Sequence, residues 1–256
     1  WRHMMPAALE VNGLHKHFGG IVVANNIDLT LEKGEVVALI GPNGAGKTSL
    51  FNLISGSVRP DSGRILLNEQ PIERLPMHAR ARMGVSRTWQ NIRLFQSLSI
   101  LDNLMIAPRH YAGESILRVA LRRKTVARER RAIEERAYQQ LEKVHLVDAA
   151  QLRPTELSYG KQKLVSIARA LMNDGDCLLL DEPIAGVEGA AYEALRAVIR
   201  GEAKNGRAIC VVEHNISFVR DLCDRALFMF KGQIIDSGSI DELIGRENLT
   251  EMYFGG

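Results

Sequence analysis

The sequence predicts an α/β fold: a parallel sheet covered by helices, preceded by a strand-rich region and interrupted by a helical insertion. Short apolar and β-branched runs separated by Gly or charged turns fill the first hundred residues. Between about residues 101 and 147 strand formers thin out, and Ala, Leu, Glu and Arg dominate with apolar residues at helical spacing. Beyond residue 158 helices alternate with short, continuously apolar strands, as a sheet buried on both faces requires. A chain of 256 residues with 46% apolar and 25% charged residues can bury such a core.

Taken in order, residues 9–14, 22–31 and 35–40 read as strands, and 48–55 as a helix after a Gly-rich loop. Residues 63–67 return to strand after the turn Pro60-Asp61-Ser62-Gly63. After the insertion come a helix from Ser158 to Leu171, strand 177–180, helix 188–204, strand 208–212, helix 216–223 and strand 226–230. There is no internal repeat or low-complexity segment. The expected division is an N-terminal tail 1–8, a first core part 9–95, a helical subdomain 96–172, and a second core part 173–256 with C-terminal helices. Trp1-Arg2-His3 before Met4 and Met5 looks like a tag remnant.

The net charge of +3 does not suggest a dedicated nucleic-acid binder, which would carry a concentrated basic face. The three cysteines, Cys177, Cys210 and Cys223, read as reduced thiols of a cytosolic protein, with two of them in apolar runs. No apolar run is long enough to cross a bilayer and no signal-peptide pattern opens the chain, so a membrane role would come through a partner.

Two motifs carry chemistry. Gly41-Pro42-Asn43-Gly44-Ala45-Gly46-Lys47-Thr48 matches G-x-x-x-x-G-K-[ST], between an apolar strand and a helix. Glycines let backbone N–H groups turn toward a phosphate, and the helix adds its positive end. Gly41, Asn43, Gly44, Ala45, Gly46, Lys47, Thr48 and Ser49 are therefore candidate contacts to ATP, with Lys47 on the β and γ oxygens and Thr48 on Mg2+. The second motif is Cys177-Leu178-Leu179-Leu180-Asp181-Glu182-Pro183, a buried strand delivering two acids to the edge of the sheet. Asp181 is placed to hold water on Mg2+. Glu182 points the other way and can polarise the attacking water. A strand end with solvated acids is the ordinary alternative, and the phosphate loop upstream argues against it.

Leu157-Ser158-Tyr159-Gly160-Lys161-Gln162 opens a helix with Ser158 as a natural N-cap and Gly160 allowing close backbone approach. This segment resembles the LSGGQ signature of ABC ATPases. Phe18, Gln90, the stretch Ala185-Gly186-Val187-Glu188 and His214 follow in that family's order, and the resemblance runs from about residue 9 to Phe254. It implies a P-loop NTPase (ABC ATPase) core with a parallel sheet, an N-terminal antiparallel β region and an inserted α-helical subdomain. It also implies ATP hydrolysis by Glu182, His214 and Lys47, with Phe18 stacking on adenine and Gln90 touching Mg2+ and a membrane subunit. In a head-to-tail dimer, Ser158 and Gly160 of one copy would close over the γ-phosphate held by the other. Tyr159 stands where LSGGQ has its first glycine, and Glu188 replaces the usual aspartate of the D-loop. Less backbone freedom at the first and a looser contact across the dimer at the second are the expected consequences.

Within the family the chain resembles ATPase subunits of bacterial branched-chain (hydrophobic) amino-acid importers. The carrying residues are Arg87-Thr88-Trp89-Gln90-Asn91-Ile92-Arg93-Leu94-Phe95, Leu157-Ser158-Tyr159-Gly160, Val212-Glu213-His214-Asn215, Tyr253-Phe254-Gly255 and the insertion 109–147. The ATPase of lipopolysaccharide export shares much of the pattern, including Ala-Gly-Val after its Glu-Pro, and urea and amide importers use related subunits. The implied partners are transmembrane permease subunits, a second identical or paralogous ATPase subunit and, indirectly, a periplasmic binding protein. No nucleic acid is expected, and the implied location is the cytoplasmic face of the membrane. A non-transport ABC ATPase would bring paired cassettes or long coiled coils. A nucleotide sensor would not need both Glu182 and His214. In the insertion, Arg118, Arg122, Arg123, Lys124, Arg128, Arg130 and Arg131 are interleaved with Glu129, Glu134 and Glu135. That mixture reads as a solvated helix face with pairs such as Arg131–Glu135, rather than a lipid or nucleic-acid patch.

Overall fold

The computed structural model describes residues 7–108 and 123–246. Within them the chain forms two compact units, one built from residues up to Gln90, Gly175–Pro183 and the chain from Ile199 onward, the other from Asn91–Asp174 and Ile184–Val198. Arg118, Arg122, the side chains of Arg123 and Lys124, and Tyr253, Phe254 and Gly255 lie outside the described residues.

The first unit contains two sheets. Strands β1 (Ala7–Phe18), β2 (Ile21–Glu32), β4 (Ser62–Leu67) and β5 (Gln70–Pro71) make an antiparallel sheet in the order β2-β1-β4-β5. The second sheet runs β10-β9-β3-β8-β7-β6, from β3 (Val36–Ile40), β6 (Val85–Arg87), β7 (Cys177–Asp181), β8 (Ala208–Val212), β9 (Arg225–Phe230) and β10 (Gln233–Gly238). Here β9, β3, β8, β7 and β6 are parallel neighbours, and β10 is antiparallel to β9. Every residue of β3, β7 and β8 is buried, which explains their unbroken apolar runs. In β2 burial alternates over much of the strand, and its buried face joins β1 and helix α1 (Lys47–Ser55) in one core with Leu9, Leu14, Ile27, Leu31 and Phe51.

Short elements escape the sequence pattern. Strand β6 has three residues, Val85-Ser86-Arg87, and only Val85 is apolar. It pairs in parallel with β7, and its Arg87 donates to Ser55 Oγ and to Asp181 Oδ2. Helix α2 (Met77–Met83) is short and carries two arginines, yet its Arg80 is among the largest fully buried side chains. The Arg80 guanidinium donates to the carbonyl oxygens of Leu53 (2.5 Å), Ile54 (3.0 Å), Glu73 (2.8 Å) and Leu75 (2.9 Å). Two of these are at the end of α1, where carbonyls lack helical partners. Burial pulls the Arg80 pKa down to about 10, and the nearby charge of Glu73 pushes it back up.

Cys177 and Cys210 are buried free thiols on neighbouring strands, and Cys223 is a half-buried free thiol. Burial pushes Cys177 and Cys223 up to about 12 and Cys210 well above the ordinary thiol value, so all three are protonated at neutral pH.

The second unit is helical: α3 (Ile100–Met105), α4 (Arg123–Lys143), α5 (Tyr159–Leu171) and α6 (Ala190–Lys204) as far as Val198. Ser99 caps α3 by accepting from the Asp102 N–H. Buried Asn103 accepts from the Phe95 N–H and donates to the Phe95 carbonyl, which fixes the segment before the helix. On α4, Arg128, Arg130 and Arg131 are exposed while Ala137 and Leu141 are buried, as on an amphipathic solvated helix. An ion pair of α4 joins Arg136 to Asp174. Among the described residues no helix is long and apolar enough to cross a membrane.

Replacing Arg80 with Ala removes the guanidinium's bonds to four carbonyls and is expected to cost about 3 kcal/mol of stability. Urea unfolding of the purified chain checks this; coincident midpoints would contradict the structural role.

Candidate active site

Four parallel strands end side by side, and each contributes its next residues to one edge. From β3 comes the loop 41–46, from β8 His214, from β7 Asp181 and Glu182, and from β6 the segment Arg87 to Gln90. The carboxyl edge of a parallel sheet is where α/β proteins bind ligands.

The loop after β3 is held against neighbouring backbone. A Cβ on Gly41 (φ 148°) would sit 2.0 Å from the Met229 carbonyl oxygen, so no side chain fits. Helix α1 starts from Gly46 with no side-chain cap and no acidic residue in its first turn, leaving its first N–H groups for an anion. Buried Lys47 donates from Nζ to the carbonyl oxygens of Gly41 (2.6 Å) and Pro42 (2.9 Å). Burial lowers its pKa, with Glu182 and Asp181 pushing it back up.

Glu182 leaves β7 with φ 47°, a left-handed conformation uncommon for a residue with a Cβ. Its N–H donates to the Val212 carbonyl (2.9 Å), and its carboxylate is bracketed from two sides. Gln90 Nε2 donates to Oε2 at 2.8 Å, and His214 Nε2 lies 3.5 Å from Oε1. Burial lowers the His214 pKa and the charge of Lys47 lowers it further, while Glu182 opposes both. The imidazole is therefore neutral at physiological pH and can donate or accept one hydrogen bond. Asp181 is buried one residue earlier, with Oδ2 paired to Arg87 at 3.0 Å.

Residues 43–49, Gln90, Glu182 and His214 line a single cavity of about 320 Å3, together with Ile21, Val22, Val23 and Val212. An ammonium, a hydroxyl, helix N–H groups and a bracketed carboxylate in one cleft can grip a polyphosphate and polarise a water beside it. Every one of these residues is in the first unit. Phe18, Gly41 and Asp181 do not line the cavity. Phe18 is half exposed at the β1–β2 hairpin with the Lys16 ammonium 5.1 Å from its ring, and its cross-strand partner is Ile21. Ile21, Val22 and Val23 carry no motif of their own; only strand pairing reveals their place.

Residues 24–185 match the family described as ABC transporter. The chain is 34% identical over 254 residues to the high-affinity branched-chain amino acid transport ATP-binding protein LivG of Escherichia coli K12, covering 98% of this chain and 99% of LivG. The chain belongs to the ABC transporter family. It is an ATP-binding subunit and an ATPase, with the α/β architecture of ABC cassettes. The lipopolysaccharide export system ATP-binding protein LptB of Escherichia coli K12 is 33% identical, over 97% of this chain and 98% of LptB. The ADP conformation of MJ1267, an ATP-binding cassette of an ABC transporter, superposes with a TM-score of 0.82 at 29% identity, covering 98% and 99% of the two chains.

In this ABC ATPase the signature segment opens α5 in the second unit. Ser158 occupies the N-cap position with extended backbone, yet its side chain makes no capping hydrogen bond, contrary to its reading as an ordinary cap. Tyr159 is accommodated through Gly186 (φ 71°), where an added Cβ would lie 2.8 Å from the Tyr159 ring. The missing side chain at Gly186 thus leaves room for the tyrosine that replaces a signature glycine. Glu188 is exposed.

The folded chain lowers the His214 pKa below the ordinary 6.5. Between those two values the unfolded chain binds more protons, so stability falls as pH drops below about 6.5. His214→Gln is expected to flatten that fall, seen as a smaller difference between urea midpoints at about pH 7.5 and about pH 5.5. An equal difference in both proteins would count against it.

Proposed function

We propose that this ABC ATPase drives uptake of branched-chain or other hydrophobic amino acids, docked on permease subunits at the cytoplasmic face of a membrane. The observation that carries the hydrolytic part is the bracketing of Glu182 by Gln90 and His214 beside the Lys47 loop. Near-full-length similarity to LivG supports the substrate class. Lipid export is the second reading, favoured by an almost equal similarity to LptB.

The triphosphate lies on residues 43–49, with Lys47 moving its donors from the Gly41 and Pro42 carbonyls to the β and γ oxygens. Phe18 stacks on adenine beside the Ile21 and Val22 wall. Glu182 orients and polarises the attacking water, and neutral His214 contacts the γ-phosphate. Thr48, Gln90 and Asp181 are hard oxygen donors suited to Mg2+. Among the described residues no three His, Cys, Asp or Glu side chains cluster to hold a metal, so water and nucleotide oxygens would complete its shell. When bound, the ion neutralises charge on the β and γ oxygens.

Ser158 and Gly160 of a second copy, or of a paralogue, cap the γ-phosphate in a head-to-tail dimer. The helical subdomain 96–172 presents that signature, and Gln90 and its neighbours face the permease. ATP closes the dimer because the capping contacts exist only with nucleotide present, and hydrolysis releases them. A periplasmic binding protein selects the cargo upstream.

Glu182→Gln is expected to bind ATP with near-parental affinity, lose turnover by about a hundredfold or more, and accumulate as an ATP-dependent dimer by light scattering. Parental turnover would remove Glu182 from its role. Lys47→Ala should weaken ATP binding by about tenfold or more in calorimetry; unchanged affinity would remove the phosphate cradle. In proteoliposomes with its co-purifying permeases, ATPase stimulation by a leucine-loaded binding protein supports import, whereas stimulation by lipid A alone supports export.

A further inference from the structure

Arg87 ends β6 with a buried guanidinium to which the hydrolytic reading gives no task. Its side chain is 4% exposed, and that of its partner Asp181 is 3%. One terminal nitrogen donates to Asp181 Oδ2 (3.0 Å), and the other to Asn52 Oδ1 (2.7 Å) and Ser55 Oγ (3.1 Å) on α1. The guanidinium carbon lies 4.2 Å from the Trp89 ring centre and 5.6 Å from that of Phe51.

We propose that Arg87 is the positioning residue for Asp181, tying its carboxylate to the helix that begins with Lys47 and Thr48, and that Trp89 couples this hold to the segment carrying Gln90. The inference rests on the reading of Asp181 as part of the hydrolytic site.

A planar fork that donates to a carboxylate and to two fixed oxygens sets the rotation of that carboxylate. An ammonium could supply the charge but not the three directed bonds. Desolvating both charges makes a buried ion pair weak evidence for stability, so the pair is better explained by the geometry it imposes. The surrounding backbone acts in the same sense. The Thr88 N–H donates to the Leu179 carbonyl (2.9 Å), and the Asp181 N–H donates to Thr88 Oγ1 (3.3 Å). Gln90 then reaches Glu182. Arg87, Thr88 and Gln90 thus grip the strand end that carries both acids, with Trp89 stacked on Arg87.

The test uses the purified full chain carrying Trp1→Phe, so that Trp89 is the sole tryptophan. Arg87→Met is expected to lower kcat by about tenfold to a hundredfold, with the KM for ATP within about threefold. Asn52→Ala leaves the Arg87–Asp181 charge pair in place, and should lower kcat by about threefold or more. Arg87→Lys should recover only a minor part of the Arg87→Met loss. Trp89 emission should shift in Arg87→Met as the stacked cation is lost; an unchanged spectrum removes Trp89 from the proposal. Parental kcat in Arg87→Met, or a silent Asn52→Ala together with full rescue by Arg87→Lys, overturns the positioning role. If Arg87→Met does not fold, the Asn52→Ala and Arg87→Lys comparison decides alone. Asp181→Asn separates the two readings: parental turnover there removes the hydrolytic role of Asp181. An inactive Asp181→Asn beside a fully active Arg87→Met removes only this inference.

Discussion

The parallel hydrogen bonding of β3, β8, β7 and β6 is the constraint on which the rest depends. Because these strands run the same way and are neighbours, four loops distant in sequence emerge at one edge. The pairing of Leu39 with Val212, and of Val212 with Asp181, sets how far each strand projects. A register shift in this sheet would take His214 or Glu182 out of contact, since strand neighbours alternate faces. The continuous burial of β3, β7 and β8 makes such a shift costly, because it would carry apolar side chains out of the core.

On this rigid edge the groups are held in tension. Lys47 is satisfied by its own loop, Glu182 by Gln90 and His214, and Asp181 by Arg87. Each is a charged or polar group that would be expensive to bury unpaired. In the proposed site a triphosphate would meet the uncapped N–H groups of α1 and exchange the carbonyl bonds of Lys47 for stronger, charge-assisted ones. On the proposed function, a nucleotide that engages Glu182 would also act on Gln90, which is hydrogen-bonded to it. The left-handed Glu182 fits the same picture, since strained backbone persists where surrounding contacts over-determine it.

One departure from the family pattern, Tyr159, is accommodated locally. Tyr159 would crowd an ordinary backbone, but it lies against a glycine with no side chain to displace. The polar edge strand β6 and the helix bearing Arg80 each bury an arginine whose terminal nitrogens donate to carbonyl, amide or carboxylate oxygens at hand.

The sequence by itself determined the α/β class, the strand–loop–helix around Lys47 and the acid pair ending β7, because continuous apolar runs and glycine spacing are local signals. It also determined family membership, through motifs spread over nearly the whole chain. Only the tertiary structure decided that Gln90 and His214 meet on Glu182, that Ile21 and Val22 wall the cavity, and that Arg87 holds Asp181. Those contacts arise from non-local strand pairing and from buried polar side chains, whose partners lie far along the chain and leave no periodic trace in it.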